Sequence, residues 1–319
     1  MPAQLLKSAY WSLNPVEIIH YTGETKPWSW HLQEKSNWKS APSDEVLSLW
    51  YEFINPYPKC EKLKLKRKEG ITCVITTYSR PIDYVQDVIN SVETIQAVSA
   101  IRIKNLNPHR TINGVDFTTP KEIHIDHYTS DSLNNRFDVQ GIETEAVLYL
   151  DDDIIASPKD LTFLIRSWQD HKNKLTGFFS RSHLGTEYSF NTRSEYSMIL
   201  TKAMVVHIDY VYKYDCLLLP ELKEYVDTHM NCEDILMNFL VASVSSEGPA
   251  FVAARPILDR GRGSGLSVKH GKTNTLFNST RSNCVNFFSA QFGRNPLKYS
   301  SNYVSRGLVP KTIITTDAV

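Results

Sequence analysis

The stretch Ala146-Val147-Leu148-Tyr149-Leu150-Asp151-Asp152-Asp153-Ile154-Ile155 decides how this chain is read. Its apolar run predicts a buried strand, and the three aspartates that follow place a carboxylate cluster at the strand's carboxyl tip. Like charges a few ångströms apart are unfavourable, and a hard divalent cation with phosphate co-ligands relieves them. A single aspartate at a strand end can cap the next helix or start an Asx turn. Three exceed that need, because Ser157 is available to cap a helix containing Leu161, Leu164, Ile165 and Trp168. The cluster therefore points to a metal or a diphosphate.

Working outward, the pattern from Ile71 onward is α/β. A strand Ile71 to Ile75 leads through Pro81 into a helix with Val85, Val88, Ile89 and Val92 on one face, then strands Ala100 to Ile103 and Glu122 to Ile125. Strands alternating with helices predict a mostly parallel sheet with crossovers. Ligands of open α/β sheets bind outside the carboxyl ends of strands. Thr76 to Arg80, Asn105 and the aspartates occupy such ends, so they can converge on one ligand.

The bulk properties fit a soluble enzyme or binding module. The chain has 319 residues, 41% apolar and 22% charged, with 35 basic residues against 35 acidic, so no global basic field argues for nucleic acid. No stretch approaches the roughly 18 apolar residues of a membrane span, and the N-terminus lacks the apolar core of a signal peptide. Either the chain is cytosolic or its targeting segment is not included. Residues 1–60 hold Trp11, Trp28, Trp30, Trp38 and Trp50 without a strand repeat, and 61–69 read as a basic linker with Lys62, Lys64, Lys66, Arg67 and Lys68. Residues 70–305 form the expected catalytic domain and 306–319 a tail.

Six segments carry a resemblance: Thr77-Tyr-Ser-Arg80, Leu133-Asn-Asn-Arg136, Val147-Leu-Tyr-Leu-Asp-Asp-Asp153, Tyr196-Ser-Met-Ile-Leu200, Asn231-Cys-Glu-Asp-Ile-Leu-Met-Asn-Phe239 and Arg281-Ser-Asn-Cys-Val-Asn286. In order and spacing they resemble the exostosin-like glycosyltransferases, family 64. The resemblance implies a GT-A fold, Mn²⁺, a UDP-sugar donor and retention of anomeric configuration. The expected donor sugar is an N-acetylhexosamine, GlcNAc or GalNAc, passed to a glycan or glycolipid acceptor. Animal relatives work on heparan-type glycans and plant relatives on sphingolipids.

Carried onto this sequence, the family pattern makes Asp153 the metal ligand. Asp151 and Asp152 orient the ribose and sugar hydroxyls or support that ligand. Arg80 and Arg136 reach phosphate or uracil-ribose edges as planar fork donors, with Asn135 and Asn134 beside them; these last three residues can also make an ordinary helix start. Asn105 resembles the family's uracil-binding asparagine, whereas Thr76 stands where the family has glutamine. Asp234 matches the candidate catalytic carboxylate, with helix N-capping as its alternative role, and Arg281 the cation beside sugar and diphosphate. Arg181, Asn231 and Glu233 resemble acceptor-side positions. Retention proceeds through a carboxylate nucleophile or by same-face attack, and the residues do not choose between them.

Five cysteines without Cys-x-x-Cys spacing argue against zinc. Relatives join the pair corresponding to Cys232 and Cys284, which implies a disulfide and an oxidising ER or Golgi lumen. The sequon Asn278-Ser279-Thr280 agrees with that compartment, and Cys73 is expected to stay a free buried thiol. The N-terminal His20-Tyr-Thr-Gly-Glu-Thr-Lys26-Pro-Trp28 resembles the closing motif of glycogenin-like family 8 transferases, without that family's catalytic sheet upstream. The expectation from this resemblance is that the chain is the C-terminal piece of a bifunctional transferase or a truncated gene product, the alternative being a coincidental aromatic packing segment in which His20 and Lys26 have no catalytic role. The reading from another class is a catalytically inactive sugar-nucleotide or glycan-binding module. A nucleotidyltransferase also uses acidic clusters but leaves the Asn-Cys-Glu-Asp and Arg-Ser-Asn-Cys segments unexplained.

Overall fold

A computed structural model describes residues 67–254, 257–261 and 274–306. The chain divides into two units, Met1–Lys64 and Leu65–Val319. The tryptophan-rich segment with His20 and Lys26, most of the linker, and nearly all of the tail lie outside the described residues.

In chain order the second unit comprises β1 (Lys68–Thr77), α1 (Ile82–Val92), β2 (Val98–Asn105), β3 (Glu122–His127), β4 (Thr144–Asp151), β5 (Ile154–Ile155) and α2 (Pro158–Gln169). There follow β6 (Thr176–Gly177), the hairpin β7 (Ser180–Leu184) and β8 (Glu187–Ser189), β9 (Met198–Ile199), β10 (Ala203–His207) and α3 (Ile208–Tyr212). The remainder is α4 (Pro220–His229), α5 (Glu233–Val244), β11 (Ala250–Ala253), β12 (Leu258–Asp259), α6 (Asn274–Gln291) and β13 (Tyr303–Ser305).

The main sheet has eight strands in the order β13-β11-β6-β10-β4-β1-β2-β3. All neighbours run parallel except β10, which is antiparallel to both β4 and β6. This is the mixed, mostly parallel sheet expected of the fold. Each of the three short strands expected from Ile71, Ala100 and Glu122 is present and runs two or more residues further, because in-register pairing keeps adding ladder bonds up to Thr77 and Asn105.

Side-chain alternation explains the packing. Cys73, Ile75, Leu148 and Leu150 point to one face, where Val88 and Ile89 of α1 and Leu161, Leu164 and Trp168 of α2 cover them. Full burial of each such aliphatic side chain contributes about 1.5–3 kcal/mol. On the other face Tyr149 meets Phe137 edge-on at 5.3 Å, and Phe137 packs on Tyr214 at 4.3 Å. Helix α2 starts as expected: Ser157 Oγ accepts the Asp160 N–H at 3.1 Å, with Pro158 at the first helical position. Cys73 is unbridged and buried in β1. No helix among the described residues is long and apolar enough to cross a membrane.

The reversal of β10 shapes the site. Parallel strands deliver their C-terminal residues to one edge of the sheet, whereas β10 delivers those that precede it. Thr201 and Lys202 thereby arrive beside the aspartates, and the Asp151 N–H donates to the Lys202 carbonyl at 3.0 Å.

Candidate active site

The aspartates leave β4 in three directions. Asp152 turns inward: its N–H donates to the Thr76 carbonyl at 3.1 Å, and Thr77 Oγ1 donates to its carboxylate at 2.6 Å. Burial pushes its carboxyl up to about 7. Asp151 and Asp153 stay half-buried at the edge. Asp153 pairs with Arg80 at 2.9 Å, and its carbonyl accepts the Arg260 N–H at 2.9 Å. Burial, then the negative charges of Asp151 and Asp259, raise the Asp153 carboxyl to about 6.

Strap residues 258–261 close over this corner. β12 pairs with β5, Asp259 accepts from Lys202 Nζ at 2.7 Å, and Gly261 passes so close that a Cβ there would lie 2.3 Å from Asp153 Oδ2. Among the described residues no three His, Cys, Asp or Glu side chains converge to hold a metal alone. The donor set nevertheless fits a hard cation. Asp153, crowded by two other carboxylates, supplies oxygen and excess negative charge, and a diphosphate would complete the shell, as suits ions bound through one or two carboxylates plus phosphate. When bound, such an ion offsets the charge that develops on a departing diphosphate.

Arg136 sits on a short 3₁₀ turn, Leu133–Phe137, capped by Ser132, whose Oγ accepts the Asn134 N–H at 3.1 Å. The segment is thus a side-chain-capped helical turn, as one sequence reading expects, and the Arg136 guanidinium on it is buried. Arg136 donates to Asp151 at 2.7 Å and to Thr201 Oγ1, and it faces Glu233 at 3.5 Å. Burial alone would lower its pKa, but the Asp151 and Glu233 carboxylates outweigh that and raise it. The wholly buried Lys104 steadies the turn from below by donating to the Asp138 carbonyl. Asn135 is half-buried and donates to the Ser130 carbonyl at 3.0 Å. Asn134 instead ties the turn to α4 through Asp227 at 2.8 Å.

Asn105 is completely buried, with its amide nitrogen on the Arg110 carbonyl and His127 Nδ1. It shapes the loop after β2, and a base contact from this side chain requires exchanging those bonds. Thr76 keeps a buried hydroxyl that has no hydrogen-bond partner among the described residues.

The opposite side of the site is built on the junction of α4 and α5. Met230 (φ 44°) and Cys232 (φ 76°) adopt left-handed backbone on either side of Asn231, a conformation costly for side chains bearing a Cβ. Cys232, rather than Asp234, occupies the N-cap of α5. Asp234 lies inside the first turn, where one carboxylate oxygen accepts the Ile235 N–H at 2.9 Å and the other accepts from Arg281 Nη2 at 2.6 Å. Arg281 Nη1 donates to Asn231 Oδ1 at 3.0 Å. Burial would lower the Arg281 pKa, but Asp234 outweighs it and raises it. The helix dipole favours Glu233 and Asp234 as anions. Burial still dominates at Glu233, and with the Asp234 charge it pushes that carboxyl up to about 7 against the pull of Arg136.

The expected disulfide joins Cys232 to Cys284, fastening α5 to α6 one helical turn beyond Arg281. Arg181 makes no hydrogen bond to these carboxylates: it donates to the carbonyl of the preceding residue, Ser180, at 2.7 Å and lies over the Phe190 ring at 5.0 Å. The sequon falls within α6, with the Asn278 side-chain oxygen buried, which is unlike the accessible loop that a glycan acceptor occupies. Thr201, Lys202, Asp259 and Gly261 join the site although no sequence motif singles them out. Thr77 enters it as the first residue of a quoted segment, the one local hint of its role.

Carboxylates and fork-donor arginines thus gather at the carboxyl edge of a mostly parallel sheet, with a second buried arginine and carboxylate facing them. The chain belongs to glycosyl transferase family 64, whose domain matches residues 71–308. Similar proteins include Exostosin-2 of Mus musculus, 33% identical over 249 residues, covering 73% of this chain and 33% of that protein. Glycosyltransferase family protein 64 C3 of Arabidopsis thaliana is 32% identical over 267 residues, covering 73% of this chain and 79% of its own. Glycosylinositol phosphorylceramide mannosyl transferase 1 of Arabidopsis thaliana is 33% identical over 194 residues, 56% of each chain. The chain thus spans about a third of Exostosin-2. Among solved structures, a CMP:2-keto-3-deoxy-manno-octonic acid synthetase complexed with CTP aligns at TM-score 0.35 and 12% identity, covering 53% of this chain and 84% of that one.

Proposed function

We propose that this domain is a retaining glycosyltransferase. It moves a sugar, N-acetylglucosamine or N-acetylgalactosamine in the first instance, from a UDP-sugar to a glycan or glycolipid hydroxyl in α linkage, with Mn²⁺ as cofactor. The observation that carries this reading is a pair of adjoining charge clusters: Asp151 and Glu233 share Arg136, and the next residue along α5, Asp234, holds Arg281. The first lies beside Asp153, the proposed metal and diphosphate position, and the second presents a carboxylate and a fixed cation.

In the reaction the bond from the anomeric carbon to UDP oxygen breaks with its electron pair leaving on UDP. A bond from that carbon to the acceptor oxygen forms, and the acceptor proton is released. Arg281 and Arg136 are preorganised cations that offset charge on the departing diphosphate. Asp234 is placed to stabilise or trap the cationic sugar. Asp153 would hold the metal, while Arg80, Asn135 and Asp151 orient the nucleotide. Arg181, Asn231 and Glu233 face the acceptor. The Cys232–Cys284 bridge supports an ER or Golgi lumen, since disulfides persist in oxidising compartments.

UDP release from UDP-GlcNAc and UDP-GalNAc with Mn²⁺, compared with Asp153→Ala and Asp234→Ala, tests the reading. Because one relative is named a mannosyl transferase, the screen includes mannose donors, with products read by mass. Metal-dependent turnover lost in both variants supports the proposal. UDP binding with no turnover of any donor identifies a sugar-nucleotide-binding module instead.

A further inference from the structure

Arg281 is held by Asn231 and Asp234, bonds that fix two of its nitrogens and not by themselves the tilt of the guanidinium plane, and its buried Nε has no hydrogen-bond partner among the described residues. Two rings lie near the guanidinium carbon, Tyr188 with its centroid 4.3 Å away and Phe277 at 5.6 Å, so Tyr188 is the nearer support. Tyr188 is itself fixed. Its backbone N–H donates to Ser282 Oγ at 3.0 Å, pinning β8 to the residue after Arg281, and its ring is buried. Behind it the Phe190 ring meets it edge-on at 5.3 Å and 88°, and Arg181 lies over Phe190 at 5.0 Å. Arg281, Tyr188, Phe190 and Arg181 thus form one stack, a ring pair between two cations, running from the buried carboxylates to an exposed edge of the β7–β8 hairpin.

We infer that Tyr188 is a positioning residue for Arg281: its ring face fixes the tilt of the guanidinium, which the hydrogen bonds to Asn231 and Asp234 leave undetermined. The inference rests on the transferase reading of the site. Tyr188 touches no reacting atom in it and acts only through Arg281. A cation over a desolvated ring is stabilised electrostatically and by dispersion, and an aliphatic side chain of similar volume supplies only the dispersion.

The test is steady-state kinetics of sugar transfer with Tyr188→Leu, Tyr188→Met and Tyr188→Phe, each also made in an Arg281→Lys background and each checked for an unchanged melting temperature. Both aliphatic variants are expected to lower kcat about tenfold, the size of a lost desolvated cation–π contact, with donor and acceptor KM nearly unchanged. Tyr188→Phe restores most of the rate, and in the Arg281→Lys background the aliphatic changes cost little more. A purely structural tyrosine would move the melting temperature and not this split.

The inference is overturned if the aliphatic variants lose as much rate in the Arg281→Lys background as they do with Arg281 intact. It is overturned equally if they raise acceptor KM with kcat intact, which would make Tyr188 an acceptor contact. Should Tyr188→Leu fail to fold, Tyr188→Met and Tyr188→Phe decide between the same outcomes. A wild-type protein without turnover defeats the transferase reading itself and this inference with it. An active wild type with an unimpaired Tyr188→Leu defeats this inference alone.

Discussion

Arg281 and Asp234 come from helices 47 residues apart in sequence and meet at 2.6 Å with both side chains buried. A buried pair of this kind is poor evidence of net stability but strongly resists the loss of one partner, because the remaining charge is left unpaired out of water. Arg281→Met is therefore expected to destabilise the domain by about 3–5 kcal/mol, with the double variant Arg281→Met/Asp234→Leu recovering much of that loss. Urea unfolding reads both. Equal stability of the single and double variants would show that the pair is not electrostatically isolated.

Gly261 is a second sensitive point. A methyl group there would come within 2.3 Å of Asp153 Oδ2 and 3.1 Å of Asp259 Oδ1, so the Asp153 carboxylate must swing away from Arg80. Gly261→Ala is expected to weaken Mn²⁺-dependent UDP binding about tenfold or more, as displacing a ligand's supporting contacts generally does. Calorimetric titration of UDP with and without Mn²⁺ measures it. Unchanged affinity would remove Asp153 from the proposed metal position.

Glu233 links stability to pH. Burial, aided by Asp234, raises its folded carboxyl to about 7 from an ordinary 4.5. Between those values the folded protein keeps a proton that the unfolded chain has released, so this contribution is full below about 4.5 and is lost as pH rises to about 7. Glu233→Gln removes the dependence. Its stability advantage over the wild type should grow from pH 5 to pH 7, and denaturation curves that stay parallel over that window would contradict the assignment.

The Cys232–Cys284 bridge spans 52 residues and adjoins both members of the Arg281–Asp234 pair. Closing a loop of that length removes unfolded-state freedom worth about 2–4 kcal/mol. Reductant, or the double alanine variant, is expected to lower the melting temperature and reduce transfer together. A melting curve indifferent to reductant would deny the bridge a structural role.

Much of this is legible in the sequence because it depends on local pattern. Strand Ile71 to Ile75, the buried face of α1 and the Ser157 cap follow from periodicity and turn chemistry, and the quoted segments locate Arg80, Arg136, Asp234 and Arg281 on shared ends of the fold. Thr201 and Lys202 are not legible, because their placement depends on β10 running backwards, a pairing that no local pattern encodes. Asp259 and Gly261 reach the aspartates through a two-residue pairing of β12 with β5 that is too short to leave a strand signature. Tyr188 escapes a sequence reading because its partner on α6 lies 93 positions away. Asn105 reads as a base contact only through its resemblance to the family's asparagine, and the structure reveals how its amide is engaged.

Arg136 spans two carboxylates with one planar fork, Nη2 on Asp151 and Nη1 on Glu233. On the transferase reading, a phosphate that drew this fork toward the nucleotide would take from Glu233 the cation it faces. Loading of the donor would then be felt, through one side chain, beside the position proposed for the acceptor, and the two substrates would bind in order.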